Sequence, residues 1–254
     1  MKIKNLMNYL FQVFPKKNKI FKDYIGFQFG NKNNEITNVL TCLDLEKDTL
    51  DFAIKNNVNL IITHHPFFFG KPKKIMASSN FKKTIYETAT KHSITVYSFH
   101  TNFDNSELGM NPAILKKFNF ETVIFSKKFP CLAIGHLLKE TPINDFVNQF
   151  KTVYGYKNVL LLNYGKKKIK TVGLIGGGGA DFVFSSSKEN IDLYISGDVP
   201  HHVRRGIMQE GLNYLDVPHE IENAFIDQMK YIINKQYPEL KVLTYFEKYF
   251  LETK

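Results

Sequence analysis

Residues 60–68 read LIITHHPFF, and the rest of the chain is read outward from them. Leu60 to Thr63 are apolar or β-branched, the composition of a short buried strand. The run stops at His64, His65 and Pro66, because proline has no N–H for the ladder and a fixed φ. Two imidazoles therefore stand where a buried strand ends. In open α/β sheets the carboxyl ends of the strands are where ligands collect. A single histidine there reads as a satisfied polar residue. Two in succession, with further histidines and carboxylates at other strand ends, read as metal ligands.

Upstream, Val39 to Leu43 is a strand followed by Asp44, and residues 46–57 carry a helical repeat through Leu50, Ala53 and Ile54. With strand 60–63 this makes a β-α-β unit, expected as a right-handed parallel crossover. Asp44 either faces the same crevice as His64 or caps the helix that follows it. Ile3, Leu6, Met7, Leu10 and Phe14 recur at helical spacing over 3–14, and 20–35 is irregular or strand-like. Downstream come a loop over 67–74, a helix over 80–92 and a third strand, Ile94 to Phe99. That strand ends in His100-Thr101-Asn102-Phe103-Asp104, with Thr101 to Asp104 read as loop and a helix from Asn111 to about Phe118.

Residues 121–131 read as the connection to a second lobe. Strands are expected there at 132–138, 159–162, 171–175, 192–196 and 213–217, and helices over 142–154, over 181–188 and from Pro200. Pro218 and His219 open a long helix to about Lys235, and Val242 to Phe246 is a final strand. Gly176 to Gly179 meets neither the GxGxxG nor the GK[ST] spacing, so a tight strand-to-helix turn is the better reading. The fold class is therefore α/β, with two similar α/β lobes.

Composition sets the outer bounds. A chain of 254 residues suffices for one bilobal domain or two small ones. Its two cysteines, Cys42 and Cys131, are far apart and outside any CxxC, which argues against a disulfide framework or a cysteine zinc site and fits a reducing cytoplasm. No apolar run approaches the ~20 residues needed to span a bilayer, and the N-terminus lacks a signal-peptide pattern, so no membrane partner is expected. The formal charge of +10 raises nucleic acid as a partner. Arg occurs only at Arg204 and Arg205, however, and the lysine-, asparagine-, isoleucine- and phenylalanine-rich composition makes codon bias the favoured explanation.

The polar residues gathered at strand ends are His64, His65, His100, Asp104, Asp198, His201, His202, His219 and Glu222, which include six of the eight histidines. His219 and Glu222 are three residues apart in a first helical turn, an offset that places both on one face. Nitrogen and oxygen donors without thiolate suit Zn, Mn, Fe, Co or Ni. Successive side chains on a strand point apart, so His64 and His65 are better suited to two ions than to one. Two ions about 3.5–4 Å apart would activate a shared water and polarise a substrate oxygen.

VLTCLDL at 39–45, LIITHHPFFF at 60–69, HTNFD at 100–104, GLIGGGGADF at 173–182, YISGDVPHH at 194–202 and DVPH at 216–219 together resemble the Nif-three-like family of dinuclear-metal-centre, hexameric proteins, the GTP cyclohydrolase I type 2 homologues. The resemblance implies a bilobal α/β chain with the metal site at strand carboxyl ends between the lobes, assembled as a toroidal homohexamer. The lobes would be about 1–125 and 126–220, with residues 221–254 returning to the first lobe and no inserted middle domain. It implies two divalent ions per subunit, with His64, His65, Asp104 (bridging) and His219 as ligands. The family usually places Glu four residues after the last histidine. Here that position is Asn223, and Glu222, three residues after, is taken as the fifth ligand. His100 and His202 match family site positions read as proton-transfer groups. The implied activity is metal-dependent hydrolysis of a nucleotide or related heterocycle. The alternatives are a metal-handling or regulatory protein without turnover and a nucleic-acid-binding ring.

Overall fold

The computed structural model describes residues 1–20 and 22–247. The chain opens with α1 (Ile3–Val13), whose Ile3, Leu6, Met7 and Leu10 are buried on one face, as their spacing requires. Then follow β1 (Gly26–Phe29), β2 (Val39–Cys42), α2 (Lys47–Lys55), β3 (Leu60–Thr63), α3 (Pro72–Ser78), α4 (Asn80–Lys91), β4 (Thr95–Ser98) and the single turn α5 (Thr101–Asp104). A second compact unit, Asp104–Ala224, continues with α6 (Met110–Leu115), β5 (Phe120–Phe125), β6 (Ala133–Pro142), α7 (Ile143–Tyr154), β7 (Leu160–Asn163) and β8 (Lys168–Leu174). It ends with α8 (Val183–Ser186), β9 (Leu193–Ser196), α9 (His201–Gln209) and β10 (Asn213–Asp216). The chain then returns to the first unit through α10 (Ala224–Gln236) and β11 (Val242–Thr244).

The first unit is built on a five-stranded sheet in the order β1-β4-β3-β2-β11. β2, β3, β4 and β11 run parallel, and β1 closes the β4 edge antiparallel. The β2-α2-β3 unit is parallel, as its alternating pattern predicts. All residues of β2, β3 and β4 are buried, which explains their near-continuous apolar composition. One core cluster gathers Leu40, Ile61 and Val96 from the strands with Leu50, Ala53, Ile85 and Ala89 from α2 and α4. Phe103 packs on Phe14 and Phe225, with ring centroids at 4.6 and 4.8 Å.

The second unit carries a six-stranded sheet in the order β5-β6-β8-β9-β10-β7. β8, β9 and β10 are parallel, and the outer pairs are antiparallel. Phe118, Phe146 and Phe150 pack together in its core, Phe118 and Phe150 stacked at 5.2 Å. The fold is thus mixed α/β with two sheets, as the sequence implies. Among the described residues no helix is long and apolar enough to cross a membrane.

Four local expectations are corrected. Residues 121–131 supply the edge strand β5, whose β-branched and aromatic composition lacks clean alternation because both its faces are partly exposed. Within the expected 67–74 loop, Pro72 opens α3 at its first position. Thr101–Asp104 is a helical turn rather than loop: Phe103 N–H donates to the His100 carbonyl (2.7 Å), and Asp23 accepts the Thr101 N–H (3.1 Å) that the turn would leave unsatisfied. Finally, His219–Asn223 is 3-10 rather than α-helical, and regular α-helix begins only at Ala224. That change of pitch decides which side chain faces His219.

Candidate metal centre

In the first unit, the exit from β3 gathers His64 and His65. Both of their N–H groups reach the Leu43 carbonyl, at 3.1 and 3.0 Å, which turns the chain just past the strand. The strand rule that sends successive side chains apart therefore does not hold here. The two rings lie 5.0 Å apart, and that of His100, just beyond the end of β4, lies 5.1 Å from that of His64. One ring nitrogen from each of the three falls within 4.8 Å of the others, a spacing able to hold a metal ion. Thr63 and Ser98 brace this turn: their hydroxyls are 2.7 Å apart, and both donate to the His65 carbonyl.

Each ring is held through Nδ1. His64 Nδ1 lies 2.9 Å from the Phe99 carbonyl, His65 Nδ1 2.7 Å from Asp44 Oδ2, and His100 Nδ1 3.0 Å from Asp23 Oδ1. All three partners are acceptors, so the proton sits on Nδ1 and the lone pair on Nε2. This is the arrangement by which carboxylates and carbonyls orient ligating histidines. It decides the reading of Asp44, since the N-cap position of α2 is Glu46. Burial opposes ionisation of Asp44, but the His65 hydrogen bond outweighs it and lowers its pKa. Asp23 behaves alike: burial opposes ionisation, while His100 and Thr101 hold the carboxyl at about 2.

In the second unit, Asp104 is buried at the end of α5. His219 and Glu222 sit on the 3-10 turn after β10, His219 Nε2 3.0 Å from Glu222 Oε2. With three residues per turn, position +3 eclipses the starting residue. Glu222 therefore stands beside His219, and Asn223 is rotated about a third of a turn away. The carboxylate three residues on, rather than four, thus fits this turn. Gly177, with φ +63°, faces the pair: a Cβ there would lie 1.8 Å from Glu222 Oε1 and 3.2 Å from His219 Nε2. The glycine run is indeed a tight turn, and its second member leaves room for this carboxylate. Asn111 pins the run by accepting the Gly176 N–H (2.9 Å) and donating to the Cys131 carbonyl (2.7 Å).

His219 Nδ1 lies 2.5 Å from Asp198 Oδ2. Asp198 adopts φ +54°, a left-handed conformation that Asp tolerates better than most residues. The Glu222 hydrogen bond, against burial and with help from Asp198, raises the His219 pKa to about 9. Sequence reading grouped Asp198 with the strand-end residues without giving it a role, and it missed Asp23 altogether, which lies in an irregular segment with no motif around it. His201 and His202 are exposed on the first turn of α9, outside the three-residue ligand groups found among the described residues.

The fold and the site thus define an α/β chain with nitrogen- and oxygen-donor groups at its strand ends that could hold a metal ion. Residues 1–249 match the DUF34/NIF3 (NGG1p interacting factor 3) family, and the chain belongs to it. Among curated relatives, a GTP cyclohydrolase 1 type 2 homolog of Clostridium perfringens is 30% identical over 225 residues, covering 86% of each chain. One of Ureaplasma parvum is 28% identical over 233 residues, covering 89% of this chain and 87% of its own. Among solved structures, Staphylococcus aureus protein SA1388 aligns with a TM-score of 0.85 at 21% identity, covering 100% of this chain and 98% of its own. Reduced HcgD of Methanocaldococcus jannaschii aligns at 0.83 and 23%, covering 96% and 97%. The two structures attest the fold.

Proposed function

We propose that this protein is a metal-dependent hydrolase acting on a nucleotide or related heterocycle, using two divalent ions ligated by His64, His65, Asp104, His219 and Glu222. The observation that carries the reading is the holding of the candidate imidazoles through Nδ1, by Asp44, by the Phe99 carbonyl and by Asp198. The donor set fits the group: nitrogen and carboxylate oxygen, with both cysteines buried and the Cys42 thiol pushed up by burial. When bound, such ions lower the pKa of a water and polarise a substrate oxygen.

The chain's own residues supply the rest. His64 and His65 present Nε2 lone pairs, and Asp104 and Glu222 supply carboxylate oxygens. His100 and His202 are the proposed proton-transfer groups. His100 has the stronger case, because Asp23 fixes its ring and balances charge when Nε2 takes up a proton. The relatives' name makes GTP the first substrate to try. Protein reconstituted with Zn, Mn or Fe is expected to open the GTP ring system, followed by ultraviolet absorbance, and His100→Asn to lower kcat at least ~100-fold with metal content unchanged. Tight metal binding with no turnover of any nucleotide would favour the metal-handling alternative instead. A cytoplasmic homohexamer is the assembly proposed with this reading, to be checked by light scattering.

A further inference from the structure

A cleft of about 550 Å³ opens in the first unit between α1, β1, β4 and the turn after β1, and no residue lining it is a candidate metal ligand. Lys4, Lys16 and Lys32 line it together with the rings of Phe11, Phe27 and Tyr97. Among the described residues no carboxylate lines it, and none of the three ammonium groups is in an ion pair. Three like charges around one concavity repel each other, so an anion of two or more charges relieves the cost.

The rings set the other half of the chemistry. Phe11 is stacked on Phe99 at 4.7 Å, and Lys16 Nζ lies 4.6 Å from the Phe11 centroid, so the contacts of this ring are already made within the chain. Phe27 stands edge-on to Tyr97 at 5.4 Å and is 48% exposed, a large ring on an edge strand with little core to fill. The exposed ring of Phe27 offers a face on which a planar π system can stack. The volume lies in the range of small-ligand pockets.

We propose that this cleft binds a nucleoside di- or triphosphate, the base stacked on the exposed ring of Phe27 and the phosphates met by Lys4, Lys16 and Lys32. The site is separate from the candidate metal ligands and holds its ligand without them. A single nucleotide is favoured over a strand of nucleic acid because the three lysines and the exposed ring line one concavity rather than repeating along a track.

The test is titration of the full chain with fluorescent N-methylanthraniloyl-ADP in the presence of EDTA. Saturable binding is expected that weakens at least tenfold in Lys4→Glu/Lys32→Glu and in Phe27→Ala, both exposed substitutions, and is unchanged in His65→Ala. That last comparison separates this site from the metal reading, since His65→Ala would lose metal yet keep the cleft. Absence of saturable binding, or affinity unaltered by the lysine and phenylalanine changes, would overturn the proposal. So would competition by pyrophosphate as strong as by ADP, which would remove the base from recognition. An oligothymidylate displacing the probe at lower concentration than ADP would likewise refute the single-nucleotide assignment.

Discussion

Asp44 and Asp23 act through their neighbours. Asp44 holds the His65 ring by Nδ1 at 2.7 Å, so Asp44→Asn should leave the fold intact and weaken metal binding about 10–100-fold, read by competition with a coloured chelator. Unaltered affinity would show that His65 is oriented by something else. Asp23 makes a prediction in acid. Its folded pKa of about 2 lies below the ordinary carboxylate value, so its ionised form stabilises the fold above about pH 4, and this contribution is lost as pH falls toward 2. Allowing for solvent screening, roughly 1–2 kcal/mol is at stake. Asp23→Asn should therefore cost stability at pH 7 but little at pH 2, measured by urea unfolding at both. An equal loss at both pH values would contradict the charge argument. Asp23 was invisible in the sequence because its role depends on a segment with no periodicity folding back on His100.

At the scale of elements, the 3-10 turn His219–Asn223 governs the second cluster. Because position +3 is in line with His219, Glu222→Ala should lose metal, and adding Asn223→Glu should not restore it. Recovery to within tenfold of wild type would mean the turn is α-helical in solution. Gly177→Ala forces a side chain onto Glu222 and a left-handed φ on alanine. A loss on the order of 2 kcal/mol is expected, together with reduced metal content, whereas Gly155→Ala, with φ +68° and nothing within 4 Å of its Cβ, should affect stability alone. Strands β2, β3 and β4 were legible because burial on both faces leaves continuous apolar runs, and the site was legible where histidines stopped those runs. The edge strand β5 and the pitch of the 219–223 turn were not, since the first lacks clean alternation and the second depends on local packing that residue type does not encode.

At the scale of the whole molecule, the net charge of +10 finds one concrete expression in the three lysines of the α1 cleft, and the histidines find theirs in rings fixed by acceptors. The central claim is that the rings of His64, His65 and His219 are fixed in order to hold metal. The most direct measurement is metal content per chain of protein purified without an affinity tag and reconstituted with Zn, Mn or Fe, beside His65→Ala and Asp104→Ala. The account predicts about two ions per wild-type chain, falling in both variants while circular dichroism stays that of a folded protein. A folded wild type that retains no ion and takes up none on reconstitution would contradict it.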